Sequence, residues 1–199
     1  MDYRAFTEAL ASNAPTPGGG GAAALVGAVG AALGHMVGAL TVGKKKYAAV
    51  EAELTACMER IDALRLRLLE LVQRDADCFA PLAAAYGMAR DDPARAETLE
   101  RATLRAAQPP LEMMRACCDA LTEIAVLAEK GSRLAVSDAG CAAACCRAAL
   151  ESAALNVFIN TKTLRDRAAA DALNAQAEAL LQTGVPLAER IYAAVRANF

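Results

Sequence analysis

The sequence predicts an all-α fold, a single-domain helical bundle over residues 1–199 built on long amphipathic helices. Three observations predict it. Hydrophobic residues make up 56% of the 199 positions while aromatics reach only 4%, so the apolar content is mostly Ala and Leu, which favour helix. Val, Ile, Tyr and Phe never gather into the short alternating runs that strands need. The length is enough to bury one substantial core.

Element by element, Asp2 can cap a short helix over Tyr3–Ala11 with Phe6 and Leu10 on its buried side. Pro15-Thr16-Pro17-Gly18-Gly19-Gly20-Gly21 follows, and it opens a central helix from about Gly21 to Val42. The prolines fix backbone angles and the glycines remove side chains, so this loop suits close approach to a ligand at a helix start. Gly43 ends the central helix, with Lys44-Lys45-Lys46 behind it. Tyr47–Tyr86 reads as one long amphipathic helix whose inner face is Leu54, Cys57, Ile61, Leu64, Leu68, Leu71, Val72 and Ala76; Pro81 should kink or divide it. Gly87–Asp92 is a loop, and Asp92-Pro93 starts a helix that runs to about Ala107. Pro110 begins the next, which stops at Gly131. Ser137 or Asp138 caps a long helix to about Arg167, and Ala169–Asn198 forms the last, with Gly184 and Pro186 as its expected break.

Residues 22–42 carry no charge and are long enough to cross a bilayer. However, Gly27, Gly30, Gly34 and Gly38 fall near helical spacing, and that stripe fits a tightly packed helix at a bundle centre or interface. The net charge of −2 offers no basic field for nucleic acid. Seven cysteines, an odd number with no secretory signal before them, read as reduced cytosolic thiols buried as small apolar residues. With a single His in the chain, Cys141, Cys145 and Cys146 do not make a convincing metal site, and none is expected.

In such an apolar chain the informative residues are polar ones on faces that should be buried. Asp75 lies four residues from both Leu71 and Phe79, on the inner stripe, whereas Asp77 points elsewhere. An inward carboxylate is either a proton-transfer group or one half of a structural salt bridge. Ser152, Asn156, Asn160 and Thr163 share one helix face, and Asp138 points within roughly 40° of it at 3.6 residues per turn. That polar stripe suits a hydrophilic cavity or a seam between subunits; Asp138 reads equally as an N-cap. Lys44–Lys46 suits either a solvated helix end or a clamp for an anionic tail, with Tyr47 available to stack. His35, on the small-residue helix, reads as an interior histidine.

Several stretches in this order resemble the cyclodeaminase/cyclohydrolase family of folate enzymes: Pro17–Gly20 entering an Ala/Gly helix, Gly43–Tyr47, Asp75-Ala-Asp-Cys-Phe79, Pro110-Leu111, Ser137-Asp138 and Asn156-Val-Phe-Ile-Asn160. That family includes the deaminase half of formiminotransferase-cyclodeaminase and bacterial methenyltetrahydrofolate cyclohydrolases. Position 21 is Gly where relatives usually carry Ser, and position 73 is Gln where they often carry an acid. The resemblance implies a homodimer pairing through helices, with a folate bound near the interface, and chemistry needing proton transfers without metal or redox cofactor. It assigns Asp75 and Asp138 as catalytic, Asp75 as general acid/base and Asp138 toward the pterin edge. Pro17, Gly18, Gly19, Gly20, Lys44, Lys45, Lys46, Tyr47, Asn156 and Asn160 fall to substrate binding. Without a transferase half, the expected activity is cyclohydrolase, with cyclodeaminase as the alternative; a folate-binding or structural dimer without turnover is the reading of another kind.

Overall fold

The computed structural model describes residues 2–199 and contains seven α-helices. They are α1 (Tyr3–Leu10), α2 (Gly19–Ala39), α3 (Glu51–Tyr86), α4 (Arg95–Ala106), α5 (Gln108–Lys130), α6 (Val136–Thr161) and α7 (Arg167–Arg196), with 3-10 turns at Lys45–Val50 and Arg133–Ala135. Among the described residues there is no strand. The all-α architecture is as the composition predicts.

α2 is the axis of the bundle, packed against α3, α5 and α6. Its small residues allow that density. A methyl group at Gly30 would overlap the Cys146 sulfur, and one at Gly34 would press into Ile61 and Ile124. By length and composition α2 and the 133–161 stretch are each apolar enough to span a membrane; in the fold, half of α2's most apolar window is buried against its neighbours. Around it pack Leu54, Ile61, Leu68 and Leu71 of α3, Met113, Met114 and Ile124 of α5, and Leu150 of α6. Cys57, Cys78, Cys117 and Cys146 are buried, and burial pushes the Cys117 and Cys146 thiols up, which keeps them protonated. One face of α2 stays uncovered: Val26, Val29, Met36 and Leu40 form an exposed apolar stripe.

Several expected boundaries move. Asp2 caps α1 as expected, accepting from the Ala5 N–H at 2.7 Å, but Leu10 is exposed and only Phe6 is buried. α2 begins two residues earlier than expected, because Gly18 takes the N-cap position. Gly43 ends the segment with φ of 80°, a left-handed conformation that suits Gly. Neither Pro81 nor the Gly184–Pro186 pair interrupts its helix. Each proline forfeits one backbone bond, and packing on both sides of the position holds the helix together. α6 is capped by neither Ser137 nor Asp138: the 3-10 turn leads straight into it, and Asp138 sits in its first turn. α6 ends at Thr161 rather than near Arg167, and Asp166 caps α7 through the Ala169 N–H at 3.0 Å.

Two dimensions set the position of the site. At 1.5 Å per residue α2 is about 31 Å long and α3 about 54 Å. The two run side by side, with Gly20 next to Asp75, so α3 continues 11 residues past the start of α2 to Tyr86. That overhang packs on α4 through a second small cluster, Leu82, Ala102 and Ala106, flanked by Phe79 and Leu99.

Candidate active site

The Pro/Gly loop, the Asp75 turn of α3 and the end of α6 meet in a cleft of about 240 Å³. Its walls include Thr16, Gly18, Gly19, Asp75, Phe79 and Asn160. Gly20 makes the close approach possible, because a Cβ there would lie 2.6 Å from Cγ of Asp75. Gly19 does the same for Asn156, whose amide nitrogen would stand 3.2 Å from an added Cβ. Pro17 is not in the wall; it packs over Gly21, where an added Cβ would meet the proline's Cβ at an ordinary 3.4 Å. A serine at 21 therefore fits this backbone, and the glycine there is not sterically required.

Asp75 is half-buried and forms no ion pair with any other described residue of its own chain. Burial dominates its titration and pushes the carboxyl up from 3.8 to about 6, while the N–H of Gly21 works weakly in the other direction. A helix N-terminus ordinarily favours an anion, yet here the loss of water outweighs it. The result is a carboxyl that is mostly ionised at neutral pH and readily takes and returns a proton. Asp77, one residue pair on, is exposed and accepts from the Gln73 amide at 2.9 Å.

The two asparagines present acceptors. Asn156 donates its amide N–H to the Ser152 carbonyl at 2.8 Å, and Asn160 donates to the Asn156 carbonyl at 2.9 Å. Those bonds fix each amide's orientation and turn the Oδ1 atoms outward from the helix backbone, so they can hold a donor such as water or a ring N–H. Of the same stripe, Thr163 donates its hydroxyl to the Asn160 carbonyl at 3.0 Å past the helix end, and Ser152 is exposed.

The remaining expected residues lie elsewhere. Asp138 is 18 residues before Asn156 on α6, about 27 Å along the helix. Lys44, Lys45, Lys46 and Tyr47 follow the far end of α2. Lys46 sits 5.4 Å from the Tyr47 ring centre, and a hydrogen bond with the Ser132 hydroxyl lowers the Tyr47 phenol's pKa. The buried Thr41 hydroxyl accepts the Ser132 N–H at 2.7 Å, tying the two segments together. His35 is half-buried mid-way along α2, near enough to Asp62 to help hold that carboxyl low, after the larger effect of Arg65. The single chain therefore has two polar ends, and the Asp75 end places its half-buried carboxyl in a cleft. Phe79 and Ala106 are among its walls. The spacing of Phe79 from Asp75 was visible in the sequence; nothing local marked Ala106. Among the described residues no three His, Cys, Asp or Glu side chains converge as a metal site would require.

The family profile for formiminotransferase-cyclodeaminase matches residues 2–179. The chain belongs to that family. The methenyltetrahydrofolate cyclohydrolase of Methylorubrum extorquens is 43% identical over 197 residues, covering 97% of this chain and 95% of its own. The formimidoyltransferase-cyclodeaminase of Rattus norvegicus is 29% identical over 167 residues, and this chain spans only 31% of that longer protein. The crystal structure of formiminotetrahydrofolate cyclodeaminase from Thermotoga maritima superposes with a TM-score of 0.91 at 29% identity, covering 99% of this chain and 96% of that one. The fold of that cyclodeaminase thus extends over essentially the whole chain.

Proposed function

We propose that this protein is a methenyltetrahydrofolate cyclohydrolase, converting 5,10-methenyltetrahydrofolate to 10-formyltetrahydrofolate. The observation that carries the reading is the Asp75 carboxyl, held against Gly20 without a counter-ion and titrating at about 6, in a near full-length relative of a cyclohydrolase. In the reaction, water attacks the one-carbon centre between N5 and N10 while one of its protons passes to the Asp75 carboxylate. The tetrahedral carbon then breaks its bond to N5, which takes the proton back from Asp75. The remaining hydroxyl proton leaves to solvent as the formyl C=O forms, so one proton is released overall. Positioned proton transfer of this kind contributes about 10²–10⁴-fold. Asn156 and Asn160 orient the attacking water or the pterin edge. The sequence of steps uses proton transfers alone and calls on no metal or redox cofactor.

The competing reading, formiminotetrahydrofolate cyclodeaminase, is supported by the likeness to the Thermotoga maritima enzyme. It uses the same carboxyl: N10 attacks the formimino carbon and Asp75 protonates the departing ammonia. Loss of methenyl absorbance above the spontaneous rate, with purified protein, establishes the cyclohydrolase. No such loss, with ammonia released from 5-formiminotetrahydrofolate, transfers the assignment to the cyclodeaminase; silence in both removes the enzymatic reading.

The reading includes a homodimer in the cytoplasm. The exposed stripe of Val26, Val29, Met36 and Leu40 along α2 is the face a second copy would cover. Asp138 and Lys44–Lys46 reach a folate in the Asp75 cleft only if a second copy supplies them. Sedimentation should give about twice 20.6 kDa, and Val29→Glu with Met36→Glu should return the monomer mass. A wild-type monomer at micromolar concentration overturns the dimer.

A further inference from the structure

Beyond the Asp75 cleft, the α3 overhang carries a second cavity of about 210 Å³. The two share three walls in the same order. α3 gives Phe79 to the first and Tyr86 to the second; α4 gives Ala106 and then Thr103; α6 and the turn after it give Asn160 and then Thr163. The second cavity therefore continues the first along the overhang, away from the apolar stripe of α2.

Its charge differs from that of the first. Arg90, Arg95 and Arg165 line it, against Asp92 and Glu100. Both carboxylates are already engaged by backbone: Asp92 accepts the Ala94 N–H at 2.8 Å, and Glu100 accepts the N–H groups of Arg165 and Asp166 at 2.9–3.0 Å. Those backbone bonds hold the Glu100 carboxyl below its usual range. Arg95 spends its Nε on the Met88 carbonyl at 3.2 Å and so anchors the loop. Arg90 and Arg165 are exposed, and neither pairs with a carboxylate among the described residues. Two unpaired guanidinium groups at the end of a cleft are a site for carboxylates, which they bind in a fork.

The spacing fits one molecule lying across both cavities. Tyr86 is 11 residues past Asp75, about 16 Å along α3. A p-aminobenzoyl group with its amide-linked glutamate spans about 10 Å at ordinary covalent dimensions, so the first glutamate reaches only the near edge of the arginine cavity and further γ-linked residues fill it.

We propose that Arg90 and Arg165, supported by Arg95, form a clamp for the γ-glutamyl tail of the folate, and that this cavity, rather than Lys44–Lys46, sets the preference for tail length. The proposal rests on the folate reading of the Asp75 cleft. Phe79 lines the Asp75 cleft, and in this arrangement its ring packs on the p-aminobenzoyl group.

The test is calorimetric titration with folate monoglutamate and triglutamate at low salt, on the intact protein, on Arg90→Gln/Arg165→Gln, and on Lys44→Gln/Lys45→Gln/Lys46→Gln. The intact protein should bind the triglutamate about tenfold tighter, a gain that shrinks with salt. The double arginine variant should lose that gain, and the triple lysine variant should keep it. In turnover assays the arginine effect should appear in KM for the triglutamate more than in kcat. Equal affinity for both tail lengths in the intact protein overturns the clamp, as does a preference that survives the arginine changes and vanishes with the lysine ones. A silent cyclohydrolase assay with the tail preference intact fails the activity reading and leaves the clamp standing. Turnover without tail preference does the reverse.

Discussion

Asp75→Asn lowers kcat by about 10²–10⁴-fold, with a much smaller change in KM, because it removes the proton carrier and keeps the shape of the cleft. The same change stabilises the fold. The folded carboxyl titrates at about 6 against 3.8 in the unfolded chain, so between these values the native state holds the proton more tightly. Wild-type stability therefore falls as pH rises through that window and stays lowered above it. Asn has no charge to desolvate, so the variant should match wild type near pH 3.5 and be more stable above pH 6. The gain should be about 1–2 kcal/mol, solvent in the cleft screening part of the roughly 3 kcal/mol that the difference in pKa represents. For a chain of this size that is a few degrees in Tm. Wild-type kcat/KM should fall below about pH 6 as the base form is lost. Wild-type turnover in the variant removes Asp75 from the mechanism; a lower Tm at pH 8 contradicts a desolvated, unpaired carboxylate.

Gly20→Ala is the second large effect. The added Cβ would lie 2.6 Å from Cγ of Asp75 and nearer still to its oxygens, so the carboxylate must swing away by about an ångström. A misplacement of that size costs on the order of 10²-fold in rate. Asp75 borders open cleft and can rotate, so circular dichroism should report an unchanged helical fold. Gly19→Ala is the graded comparison, because its Cβ meets the softer end of Asn156 at 3.2 Å and should cost less. Equal losses from the two would mean that loop conformation matters, rather than the approach to Asp75.

The fold was legible because one signal dominated: an Ala/Leu-rich chain with few aromatics and clear apolar spacing. Asp75 was legible for the same reason, as a charge out of place on the Leu71–Phe79 face. The misses share a cause. Pro81, Gly184 and Pro186 are breakers by local chemistry, but packing along α3 and α7 holds those helices continuous. The distance separating Asp138 and Lys44–Lys46 from Asp75 could not be read from helix phase. Phase tells which face a residue occupies and says nothing about how far along the axis its partner lies. Arg90, Arg95 and Arg165 come from three separate segments, and only the turn after α6 brings the third beside the other two.

Among the described residues the bundle holds two hydrophobic clusters: the large one around α2, and the three-residue one beneath the α3 overhang. A core of three residues binds its neighbourhood far less tightly than one running the length of the molecule, so the α4 end has its own, lower opening free energy. The consequence is a division of labour in time. Hydrogen exchange should therefore find the amides of α4 opening many times within the lifetime of the folded chain. The amides beside Gly20, at the start of the helix that runs through the larger core, should exchange more slowly.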